Sequence, residues 1–178
     1  MSPSEMFAVR DAAERDMAEI ARIYAHYVLA HLATFEEVPP DVAEMTARRA
    51  RVVAAGLPYL VAETDGAVVG YAYAGLYHSR AAYRYTVEDS IYVADGVRGR
   101  GVGRALLQAL IARCENGPWR QMLAVIGDSG NAGSIALHRA FGFEDIGAPK
   151  SVGFKFGSWV DIVIMQRPLG AGDSTPPV

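Results

Sequence analysis

The spacing of apolar residues changes several times along this chain, and each change marks an element. Phe7-Ala8-Val9-Arg10 reads as a short opening strand. Met17, Ile20, Ala21, Tyr24, Tyr27 and Val28 then recur every three or four residues, which predicts an amphipathic helix over 16–32. The stretch T-F-E-E-V-P-P (34–40) breaks it. Asp41 and Glu44 have capping-box spacing and open a second helix that ends near Gly56. Residues 59–63 and 68–74, joined through Asp65-Gly66, spell a hairpin. After a loop over 76–82, Val87, Ile91, Tyr92 and Val93 build a strand, with Glu88, Asp89 and Ser90 set among them. Asp95-Gly96 signals a turn. Ala105, Leu106, Leu107, Ala109, Leu110 and Ile111 return to helical spacing. Residues 122–126 read as a buried strand and 131–141 as a helix closed by Gly142. Two last strands, 143–146 and 160–166, flank a segment rich in Gly, Lys and Phe. The order predicts an α/β protein: a central mixed sheet with helices on its faces.

Composition changes this picture little. A chain of 178 residues suits one domain, which we set at 7–169, and the G-A-G-D-S-T-P-P-V tail over 170–178 reads as disordered. The net charge of −3, with no basic block, argues against nucleic acid as a partner. Cys114 is the only cysteine, so an internal disulfide is excluded. His26, His31 and His78 lack ligand spacing, and no metal is expected. No apolar run approaches the roughly 20 residues of a membrane span, and the N-terminus lacks the apolar core of a signal peptide. The expected location is cytoplasmic, with no membrane partner.

Candidate chemistry begins at 98–104, R-G-R-G-V-G-R. Closely spaced glycines at the start of a helix allow a ligand near the backbone, where free N–H groups and the helix dipole favour phosphate. Arginines in a first helical turn are poorly placed against that dipole, and a bound anion accounts for them. A nucleotide P-loop would need Lys-Ser/Thr where Arg104-Ala105 stand, and the spacing of Gly99, Gly101 and Gly103 is not the dinucleotide fingerprint. The pattern R-x-x-G-x-G after an acid-bearing strand resembles the GNAT superfamily of acetyl-CoA-dependent N-acetyltransferases. Y-T-V-E-D-S-I-Y-V, N-A-G-S-I-A-L-H-R-A-F-G-F and V-G-F-K-F-G-S-W-V-D-I-V-I-M-Q narrow the resemblance to the phosphinothricin / methionine sulfoximine N-acetyltransferase family. It extends over about 7–169.

The resemblance implies a GNAT-type fold, acetyl-CoA as cosubstrate and a set of roles. Pyrophosphate would take N–H bonds from Gly99, Arg100, Gly101, Val102, Gly103 and Arg104, with Arg98 or Arg104 adding charge. The backbone of Ile91, Tyr92 and Val93 would run beside the pantetheine arm. Asn131, with Ser134 in the same turn, would serve as helix cap and pantetheine contact together. Glu88 would be the general base that frees the acceptor amine, and burial would raise its pKa toward the working range. Asp89 alternates to the other face of the strand and is the second choice. His138 stands where many GNAT enzymes carry a tyrosine that protonates the departing thiolate. An acid and a core histidine both remain open there. For the acceptor, Arg80 is the first choice and Arg84 the second, as clamps for an oxygen-bearing group, with Tyr83, Thr86 and Phe35 nearby. Strand alternation would put Arg84, Thr86 and Glu88 on one face. Lys155 and Trp159 would reach a neighbouring subunit's pocket in a homodimer. Another small amine or a protein N-terminus as acceptor, and a CoA-binding regulatory module, are the alternatives; Glu88 speaks against the last.

Overall fold

β-Branched and aromatic residues concentrate in the middle of the chain, and there they form a sheet. The computed structural model describes residues 7–177. Its strands are β1 (Ala8–Asp11), β2 (Tyr59–Thr64), β3 (Ala67–Leu76), β4 (Thr86–Val93), β5 (Gln121–Gly127), β6 (Glu144–Gly147), β7 (Gly153–Lys155), β8 (Ser158–Val160) and β9 (Ile162–Pro168). The helices are α1 (Met17–Ala30), α2 (Val42–Ala54), α3 (Val102–Glu115) and α4 (Ala132–Ala140). Seven strands pair in the order β1-β2-β3-β4-β5-β9-β6, while β7 and β8 form a separate hairpin. Only the β4–β5 pair is parallel, because α3 carries the chain back between them.

The sheet separates two cores. On one side Leu106, Leu107, Leu110, Val87, Met122 and Met165 pack beneath α3 and α4. On the other, Ile20, Ile23, Tyr24, Val28, Tyr59, Val61 and Tyr71 pack beneath α1 and α2. Cross-strand pairing sorts β4 between them. Gly75↔Glu88, Tyr73↔Ser90 and Tyr71↔Tyr92 belong to the α1/α2 side, whereas Ala74↔Asp89 and Ala72↔Ile91 belong to the α3/α4 side.

Local chemistry mostly follows the expected signals. The β2–β3 turn is made by Asp65 and Gly66, both left-handed (φ 49° and 78°), which matches the twist of its strands. Asp41 accepts from the Glu44 N–H at 2.8 Å and caps α2, but the reciprocal half of the capping box is absent. The Glu44 carboxylate is drawn instead to Arg48 at 2.9 Å and Arg51 at 3.2 Å. β7 and β8 were not anticipated: three-residue strands are too short to show a period, and their Phe156-Gly157 turn has left-handed backbone (φ 51° and 75°). Beyond Leu169, the tail follows turns from Gly172 to Leu169 and from Ser174 to Ala171. Arg120 donates to the carbonyls of Gly172 and Pro176 and to the Thr175 hydroxyl. No described helix is long and apolar enough to cross a membrane.

Candidate active site

The site begins where β4 and β5 stop pairing. Their register runs from Thr86↔Gln121 to Asp89↔Ala124 and ends there. β4 continues to Val93 with β3 as its one paired strand among the described residues, and β5 continues to Gly127 with β9 as its one. The strands splay, leaving main-chain groups between them and a cleft of about 610 Å³. Ile91, Tyr92 and Val93 line one wall; Ala124, Val125 and Ile126 line the other.

The glycine loop closes one end of the cleft. Gly99 (φ 77°) and Gly101 (φ 89°) hold left-handed backbone, and a Cβ at either would meet nothing within 4 Å. They are therefore present for conformation and open approach, not for packing. Gly103 differs: its Cβ would touch Leu137 at 3.4 Å, so it sets the fit of α3 against α4. The N–H groups of Val102, Gly103 and Arg104 open α3 without intrahelical acceptors, as helix geometry requires. Arg98 and Arg104 both line the cleft. Arg98 donates to His31 Nε2 at 3.0 Å and lies over the Tyr27 ring, while Arg104 lies over Phe141. Arg100 is exposed and outside the lining, so only its backbone remains a candidate. Asn131 caps α4 by accepting from the Ser134 N–H at 3.2 Å, and both residues line the cleft. Unpaired helix-terminal donors, open glycines and a groove between splayed strands suit a phosphate-headed, amide-bearing thioester such as acetyl-CoA.

Two adjacent carboxylates of β4 face opposite ways. Glu88 is half-buried on the α1/α2 side, and among the described residues no cation pairs with it. Burial first, and the charge of Asp89 second, push its pKa up to about 7. Its cross-strand neighbour is Gly75, where a Cβ would meet nothing within 4 Å, so there is open space beside the carboxylate. Asp89 is buried on the cleft side. Its Oδ2 lies 3.0 Å from His138 Nε2, both side chains being almost fully buried, while Oδ1 has no partner. His138 Nδ1 donates to the Ser134 carbonyl at 2.7 Å. Burial opposes charge on this imidazole, but the bond and charge of Asp89 outweigh it and raise its pKa.

The predicted acceptor residues are less tightly gathered. Arg80 precedes a short 3₁₀ turn, Ala81–Tyr83, and is exposed. Arg84 lies before β4, not on it, so alternation with Thr86 and Glu88 does not apply. Its guanidinium donates to the Ala81 carbonyl at 3.0 Å and stacks over Tyr85. Tyr83 packs edge-on against Tyr77 and His78. Thr86 opens β4 and shares the face of Glu88. Phe35 lies against Gly153 of the β7–β8 hairpin, which has no side chain to oppose the ring. Lys155 is not presented outward for a neighbouring pocket: it is 2% exposed, and its ammonium donates to the carbonyls of His31 (2.9 Å) and Thr34 (2.8 Å). Trp159, by contrast, is 68% exposed.

Two cleft residues escaped the sequence reading. Tyr27 was read as core from its helical spacing, yet its hydroxyl donates to the Val93 carbonyl (2.8 Å) and accepts from the Val93 N–H (3.1 Å). Nothing in a helix pattern distinguishes that role. Asp89 stands in the sequence as only the second choice of base, because it faces away from the side of Glu88. It does face away, and it thereby faces the cleft; an acid and a histidine 49 residues apart carry no local signal of their meeting.

Comparison with known proteins supplies the context for this geometry. Residues 20–143 match the acetyltransferase (GNAT) family. Over 169 residues the chain is 60% identical to a phosphinothricin N-acetyltransferase of Alcaligenes faecalis, covering 95% of this chain and 86% of that protein. It is 42% identical over 170 residues to the L-methionine sulfoximine/L-methionine sulfone acetyltransferase of Pseudomonas paraeruginosa, covering 95% and 98%. It also aligns with the crystal structure of a GNAT superfamily phosphinothricin acetyltransferase from Sinorhizobium meliloti in complex with AcCoA. The TM-score is 0.94 at 49% identity, over 97% of this chain and 94% of that one.

Proposed function

The chain belongs to the GNAT acetyltransferase family, and from that premise we propose that it acetylates the α-amine of a small amino-acid-like acceptor, with acetyl-CoA as donor. The acceptors that fit best carry a tetrahedral, oxygen-rich side-chain group: phosphinothricin, methionine sulfoximine or methionine sulfone. Similarity to the Alcaligenes and Pseudomonas enzymes over most of their lengths supports that choice. The observation that carries the chemistry is Glu88: a half-buried carboxylate without a cation partner, its pKa near neutrality, beside open space.

In this reading Glu88 takes one proton from the acceptor ammonium, and the free amine attacks the thioester carbonyl directly. An N–H on the unpaired edge of β4 steadies the oxyanion. Collapse breaks the C–S bond, and the sulfur takes a proton from His138. Arg80, with Tyr83 and Phe35, is the proposed acceptor wall, and Arg84 supports the loop that carries it. The reaction belongs in the cytoplasm. A homodimer completes the reading, supported by the exposed Phe154, Phe156 and Trp159 of the β7–β8 hairpin.

An acceptor panel tests this directly. With acetyl-CoA and mass detection of product, kcat/KM for methionine sulfone should exceed that for a simple alkylamine of similar size by at least tenfold. An alkylamine or a protein N-terminal peptide acetylated equally well would overturn the acceptor class. Absence of thiol release with every acceptor on the panel would leave a CoA-binding module instead.

A further inference from the structure

His138 cannot act alone, because both of its ring nitrogens are engaged. Nδ1 faces a backbone carbonyl, which only accepts, so Nδ1 carries a hydrogen. Nε2 faces Asp89 Oδ2 at 3.0 Å, so one further proton lies between imidazole and carboxylate. The pair as a whole then holds a single transferable proton in a nearly dry setting. We propose that Asp89 is the positioning residue that keeps His138 an imidazolium facing the cleft, so that the two together hold the proton delivered to the CoA sulfur. The inference rests on the acetyl-transfer reading above.

Two features separate this from a structural ion pair. First, a carboxylate buried for stability alone is expected to use both oxygens, since an unpaired acceptor in a dry site is costly. Asp89 uses one; Oδ1 is buried without any partner among the described residues. Second, the pair stands where β4 and β5 part, Asp89 being the last β4 residue paired with β5, and both residues line the cleft. The groups around it are few. Phe143 packs edge-on against the imidazole. Cys114, from α3, feels the charge of Asp89, but burial foremost pushes its thiol up to about 12 and it stays neutral. Glu88, from the other face of β4, is the remaining titratable neighbour.

The proton balance closes. Glu88 removes one proton from the ammonium and releases it to solvent. Nitrogen attack forms the C–N bond, and collapse expels the thiolate, which takes the pair's proton and leaves neutral His138 beside the Asp89 carboxylate. The surplus proton on the amide nitrogen restores the pair. The products are the acetamide, CoA thiol and one proton.

The test uses the intact protein with ¹⁵N-labelled histidine, the His138 signals being assigned by their loss in His138→Gln. Both ring nitrogens of wild-type His138 should stay protonated to higher pH than in Asp89→Asn, independently of any turnover. In Asp89→Asn the His138 titration should move to lower pH, and kcat should fall on the order of 10². The alkaline limb of the kcat profile should move to lower pH. The acid limb should also move down, because Glu88 loses a neighbouring negative charge. A His138 that titrates no higher in the wild-type protein than in Asp89→Asn would overturn the proposal, and so would Asp89→Asn with wild-type kcat and limbs. Absence of acetyl transfer by the wild-type protein to every acceptor would instead bring down the underlying reading, and this proposal with it.

Discussion

The cleft between β4 and β5 and the loop before β4 lie toward opposite ends of one strand and are built on different principles. The cleft is made of main chain: splayed strand edges, helix-opening N–H groups, and glycines whose φ of 77° and 89° other residues rarely adopt. The loop over 77–85 is made of side chains, with an exposed Arg80, an Arg84 folded back on its own turn, and Tyr83 packed against Tyr77 and His78. A main-chain site tolerates side-chain change and fails when backbone conformation is altered. A side-chain site behaves the other way, and under the proposed assignment this allows donor use and acceptor choice to diverge within one fold.

Glu88 stands between the two regions, so its replacement should have the largest effect. Glu88→Gln keeps shape and removes proton acceptance; kcat should fall roughly 10²–10⁴-fold while acetyl-CoA affinity by calorimetry stays within about twofold. In the unmodified enzyme kcat/KM should rise with pH through about 7, since the base works only when ionised. That limb should vanish in Glu88→Gln. A variant that retains wild-type turnover at neutral pH would remove Glu88 from the chemistry.

Gly101→Val attacks the cleft through its backbone. A β-branched residue at φ 89° is strained whatever space surrounds it, so the start of α3 must shift. We expect acetyl-CoA affinity to weaken by roughly tenfold or more, and the thermal shift it induces to shrink accordingly. Circular dichroism checks that the variant is folded, and an undiminished shift in a folded protein would contradict a backbone cradle at this loop.

The smallest effect should come from the acceptor side. Gly75→Leu places a side chain beside Glu88, at a position where a Cβ meets nothing within 4 Å. Acceptor KM should rise several-fold, with KM for acetyl-CoA unmoved. Equal changes in both constants would mean that donor and acceptor spaces are not separate.

How much of this could be read beforehand follows the same division. The strand–loop–helix over 87–111 was legible because period, turn residues and glycine spacing are all local signals. The Arg84–Thr86–Glu88 alternation failed because it extended a strand period into residues that turn. Asp89 with His138, and Tyr27 with Val93, were illegible for another reason: each joins elements distant in sequence, and neither residue type is unusual where it stands. The β7–β8 hairpin was too short to register as strands, although its residues carried a specific resemblance.

Lys155 gives that hairpin a mechanical meaning. Its ammonium grips two carbonyls just past the end of α1, so the hairpin and the α1–α2 connection are fastened at a point 121 and 124 residues away in sequence. Phe35 resting on Gly153 makes a second fastening between the same two segments. Two such points tie separate loops into one unit. If Phe35 walls the acceptor as proposed, changes along either segment should be felt there, and selection on acceptor size can act through residues that never touch the acceptor.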